Sequence, residues 1–110
     1  MMALAHAAPG ERIHLPSIAS MPPETKTSAL VKTEKFEAVH LLLRSGSRIQ
    51  PHAVEGYITL HCLEGTIILE ARNDIELRSG DWVYLDRGER HALHAKEDSS
   101  LLLTILFEQP

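Results

Sequence analysis

Two histidines of this 110-residue chain stand where a side chain could do chemistry. His52 heads the stretch PHAVEGYITLHCLEG, residues 51–65. His91 lies in GDWVYLDRGERHALHA, residues 80–95. An imidazole titrates near neutral pH and offers a nitrogen lone pair, so it serves as an acid–base group or a metal ligand. The other donors are His6 and His14 near the N-terminus, His40, His61, His94 and the single cysteine, Cys62.

Strand alternation sorts these groups by face. Along 57–63, Ile58, Leu60 and Cys62 form a uniformly apolar set, so they face a core and His61 points away. Along 37–43, Val39, Leu41 and Leu43 take the core face and His40 the other. Along 91–95, Leu93 draws His91 inward and turns His94 outward. His52 and His91 remain as the interior candidates, 39 positions apart, a separation that suits neighbouring strands of a small barrel. Zinc and iron sites generally take three or more protein ligands. A pair of histidines bonded to backbone or water near a barrel mouth is the alternative to a metal pair.

The elements that must position these residues are short. Strand patterns occur at 36–44, 57–63, 66–71, 74–78, 82–85, 91–95 and 101–108. Glycine or Asn-Asp turns separate them about every ten residues, the rhythm of an all-β sandwich or barrel. No window sustains a 3.6-residue apolar period, and there is no long crossover helix, which disfavours parallel α/β architecture. Residues 1–30 read differently. Pro9, Pro16, Pro22 and Pro23 interrupt regular structure there. We expect an arm over 1–30, lying on the surface or on a partner subunit, and one barrel domain over 31–110.

Composition narrows the function. A 44% hydrophobic, 24% charged chain is ordinary for a globular domain. A net charge of −4 without a basic stripe argues against nucleic acid, whose phosphates demand Lys and Arg. The longest apolar run, LLLTILF at 101–107, has strand length and falls far short of the roughly 20 residues that span a bilayer. The apolar start MMALAHAAPG has no positive flank and is not read as a signal peptide, so a cytoplasmic location is expected. One cysteine excludes an internal disulfide. Ser45, Ser47, Ser79, Ser99 and Ser100 all read as turn formers, and no phosphate loop is present. Trp82 and Tyr84 alternate with Val83 and Leu85; they line a ligand mouth or pack in a half-buried sheet.

The spacing of glycines and histidines resembles the two cupin motifs. Gly46, His52 and Gly65 match the first, with Val54 at its second histidine and Ile58 at its glutamate. Gly80, Gly88 and His91 match the second, with Asp86 at its proline and Ala95 at its asparagine. The resemblance covers residues 36–108. It implies an all-β, double-stranded β-helix (jelly-roll) barrel, commonly a homodimer. Many such barrels bind Fe, Mn, Zn, Ni or Cu through three histidines and a glutamate. Of that set only His52 and His91 carry over, and valine and isoleucine cannot bind a cation. Cys62 lies four residues beyond Ile58, about 13 Å at ~3.3 Å per residue, too far for the same ion on an unbulged strand. Glu55, in the turn, reads as a solvated charge.

Three functions follow. The favoured one is a small-molecule-binding module with a degenerate metal site, its pocket drawn from His52, Val54, Ile58, Leu60, Trp82, Tyr84, His91 and Leu93. The second is a metal-dependent enzyme, dioxygenase- or isomerase-like, using His52 and His91 with a weakly held divalent Zn, Ni, Fe or Mn. The third is a structural barrel filled by its own side chains. A homodimer is expected because an apolar final strand and exposed sheet edges invite covering.

Overall fold

The computed structural model describes residues 6–52 and 54–107, and for Pro51 and His52 only the backbone. Nine strands form: β1 Ser28–Lys32, β2 Phe36–Leu43, β3 Arg48–His52, β4 Tyr57–Glu64, β5 Thr66–Glu70, β6 Asp74–Arg78, β7 Trp82–Leu85, β8 His91–Ala95 and β9 Ser99–Leu106. They make a five-stranded sheet in the order β1-β2-β9-β4-β7 and a four-stranded sheet in the order β3-β8-β5-β6. Every strand pairing is antiparallel. The helical content of the described residues is a single 3-10 turn, Ile18–Ser20. None of their helices is long and apolar enough to cross a membrane.

The two sheets bury one another's apolar faces, as the alternation in sequence requires. Leu41 and Leu43, Ile58, Leu60 and Cys62, and Leu101 come from the five-stranded sheet. Ile67, Leu69, Leu77, Leu93 and Ala95 meet them from the four-stranded one. Each fully buried leucine or isoleucine in this core contributes about 1.5–3 kcal/mol.

Two strands escape the sequence reading. β3 contains Pro51, ordinarily a strand breaker. It survives because β3 is an edge strand and its pairing with β8 shifts register between Ile49 and His52. β1 is likewise an edge strand, with its own irregularity between Ala29 and Val31. It runs across residue 30, where the sequence had the arm ending, and pairs with β2 as part of the sheet.

β9 also begins two residues earlier than the apolar run suggests. Ser99 and Ser100 are strand residues and fully buried, not turn formers. The Ser99 hydroxyl accepts from the Thr66 amide at 3.0 Å and donates to the Glu97 carbonyl at 2.7 Å. Local hydrogen bonding of this kind lets a small polar side chain sit in a core without an unsatisfied group.

The N-terminal arm folds back over the outer face of the five-stranded sheet. Ala7 donates its N–H to the Leu30 carbonyl at 2.8 Å, and Arg44 Nη2 donates to Pro22 O at 3.1 Å. Ile18, in the 3-10 turn, is buried.

Candidate functional site

The register shift in β3 sets the backbones of His52 and His91 side by side. Ile49 pairs with Leu93, and the extra residue of the bulge sets His52 directly opposite His91. Straight pairing from Ile49 would have placed Pro51 there instead. The position of the His52 side chain lies outside the described residues.

His91 is 4% exposed and shares the core-facing register of Leu93 and Ala95. Its Nδ1 lies 3.1 Å from the Glu89 carbonyl oxygen, which can only accept, so Nδ1 carries the proton. Nε2 therefore holds the lone pair whenever the ring is neutral. The turn before β8 thus fixes both the ring and its tautomer.

The two hydrocarbon positions are built firmly into the same interior. Ile58 is 3% exposed and pairs with Ile105 on β9 and Leu85 on β7. Val54 is half-buried against the core, and its carbonyl accepts from the Gly88 amide at 3.2 Å. That bond ties the first glycine-rich stretch to the second. Leu60 and Leu93 are buried alongside.

Trp82 and Tyr84 are placed elsewhere. Each is 58% exposed, on the outer face of β7, while Val83 and Leu85, which alternate with them, turn inward. Their rings lie 6.4 Å apart, tilted by 34°. They stand outside the barrel interior, because only alternate residues of β7 can reach it.

Cys62 is wholly buried, with Sγ 3.6 Å from the Glu64 carbonyl oxygen. Burial, and secondarily the charge of Asp81, push its thiol pKa up, so it is a small neutral core residue. Glu55 is solvent-exposed.

The sequence reading had the face of His40 right but missed its burial. One cross-strand row runs Ser28, His40, Leu102, His61, Trp82 across the outer face of the five-stranded sheet. The arm covers the His40 end and leaves the Trp82 end bare. His40 is only 5% exposed, and its Nε2 has no hydrogen-bond partner. Burial lowers its pKa, partly opposed by the negative charge of Glu64. Alternation cannot report this, since the cover comes from residues more than ten positions away.

No family model matches the chain. No curated protein matches it in sequence. Solved structures do match. A cupin superfamily protein from Desulfitobacterium hafniense superposes with a TM-score of 0.78 at 16% identity, covering 94% of this chain and 100% of that one. The chain has the cupin fold. A conserved protein of unknown function from Streptococcus pyogenes gives the same TM-score at 18% identity, covering 98% and 99%. KdgF from Halomonas sp. gives 0.66 at 20% identity, covering 76% and 78%.

Against the metal centre that many cupins carry, this chain's donor set falls short. Of the four ligand positions, Val54 and Ile58 offer hydrocarbon, and Ile58 is locked in the core. Among the described residues, no group of three or more His, Cys, Asp or Glu side chains could hold an ion. At most two imidazoles, His52 and His91, remain, fewer than a tightly bound transition metal takes from protein.

Proposed function

We propose that this cupin binds a small molecule at the His91 end of its barrel, without a tightly held metal. The observation that carries the reading is the combination of one buried, tautomer-fixed imidazole, His91, with hydrocarbon at buried Ile58 and half-buried Val54. A mostly apolar wall with a few placed polar groups is the usual make-up of a ligand pocket. Such a site orients a ligand through one hydrogen bond and holds it by apolar contact.

We further propose that the chain acts as a homodimer. Trp82, Tyr84, Tyr57 and Leu106 are all exposed on the outer face of one sheet, a surface that a second copy would cover.

The test is calorimetric titration of untagged protein with Zn and Ni, repeated on His52→Ala. We expect weak binding in both. Tight, stoichiometric binding that vanishes in His52→Ala would overturn the reading and establish a metal centre built on His52 and His91.

A further inference from the structure

A cavity outside the barrel lies between the N-terminal arm and the outer face of the five-stranded sheet. It encloses about 520 Å³, within the roughly 300–1,000 Å³ of small-molecule pockets. Leu42 and His40 line it from β2, Leu15 and Met21 from the arm. We propose that this cavity binds a small apolar molecule bearing one carboxylate, with the His40 imidazole and the Lys26 ammonium as its polar partners.

Three observations support the assignment. First, His40 Nε2 is a buried polar atom without a partner, on a residue 5% exposed that lines the cavity. Buried polar groups are ordinarily hydrogen-bonded, so this imidazole is a ready partner for a ligand in the cavity. Second, the ionisable residues of the lining are His14, Lys26 and His40, with no Asp or Glu among them. This complements an anion and opposes a cation. Third, Glu64, the carboxylate whose charge reaches His40, does not line this cavity and is already engaged by Ile18 N–H and Ser17 Oγ. Apart from the ionisable residues and the hydroxyl residues Ser20, Thr25 and Ser28, the wall is apolar, which suits a hydrocarbon body.

The inference does not rest on the barrel reading, and the two fail separately. The probes are octanoate and octan-1-ol, each titrated calorimetrically into the full chain. Octanoate should bind about tenfold more tightly than the alcohol, the difference of one charge-assisted hydrogen bond. Lys26→Gln, an exposed change, should weaken octanoate about threefold and leave octan-1-ol unchanged. His91→Phe, in the barrel, should leave octanoate affinity as it was. Octanoate should also shift the His40 imidazole resonances of the unmodified protein in nitrogen-correlated NMR, a readout that needs no variant to fold. No octanoate binding, equal affinity for acid and alcohol, loss of binding in His91→Phe, or an unmoved His40 signal would each overturn the proposal.

Discussion

The Glu64 carboxylate on β4 grips the start of the 3-10 turn: Oε1 accepts from the Ile18 N–H at 2.8 Å and Oε2 from the Ser17 hydroxyl at 2.7 Å. Ser100 Oγ adds a longer contact at 3.4 Å. One side chain of the sheet thereby fixes the arm that roofs His40. The same bonds to Ile18 and Ser17 lower the Glu64 pKa.

Glu64→Ala should therefore loosen the arm more than the barrel. Losing a charge-assisted bond to a turn amide costs about 1–2 kcal/mol. Amide hydrogen exchange should quicken at Ile18 while the β4 and β9 amides stay protected. In the unmodified protein the unfolded chain takes up this proton first as the pH falls. The stabilisation is thus complete above the unfolded value of about 4.5 and is lost as the pH drops through the lower, folded one. An acid-denaturation profile that Glu64→Gln leaves unchanged would contradict the assignment.

His40 should give a second pH signature at higher pH. Its folded pKa is below the ordinary 6.5, chiefly through burial. Between the two values the unfolded chain binds the extra proton, so stability declines as the pH falls from about 6.5 toward the folded pKa. Urea midpoints measured from pH 7.5 to 5 should show this decline, and His40→Phe should flatten it. The titratable and charged groups on the same face, Glu64, His14, His61 and Lys26, stay in place in that comparison.

The two glycines of the first motif should differ sharply when substituted. Both have positive φ, +84° at Gly46 and +90° at Gly65. A Cβ at Gly46 meets nothing within 4 Å, so Gly46→Ala should cost only the left-handed penalty of about 1–2 kcal/mol. At Gly65 a Cβ would collide with the Asp98 carbonyl oxygen and the Ser99 side chain, and would lie 2.7 Å from Ser99 Cα. Gly65→Ala should be the more destabilising by at least about 2 kcal/mol, because the obstruction is largely backbone. Chemical denaturation of the two variants measures the difference.

Rebuilding the missing donors should change metal binding. Val54→His with Ile58→Glu restores the histidine and glutamate of the cupin set. Metal-free, that variant should lose at least about 3 kcal/mol, since a carboxylate replaces a 3%-exposed isoleucine in the core. Zinc should restore part of this in proportion to ligand binding, seen as a metal-dependent rise in melting temperature that the unmodified protein lacks.

Assembly is the last prediction. Trp82→Glu places a charge at the bare end of the cross-strand row. Light scattering should show a dimer for the unmodified chain and a monomer for the variant at the same micromolar concentration. A monomer in both cases would remove the homodimer proposal.

Seven of the nine strands and the apolar half of the core were legible in the sequence, because side chains alternate between faces of a strand and that period is written residue by residue. Ile58, Leu60, Cys62, Leu93 and the inward turn of His91 followed from it directly. That Val54 and Ile58 are hydrocarbon holds in any fold. What the sequence could not decide depends on register and on distant cover. Pro51 reads as a breaker until β3 is seen to be an edge strand, and the bulge that sets His52 opposite His91 has no local mark. Trp82 and His40 occupy one row of one face, yet one is bare and the other buried, because the arm, tied down by Glu64 from 46 positions away, reaches only one end of the sheet. Alternation assigns a face; only the three-dimensional path of the rest of the chain decides whether that face meets water.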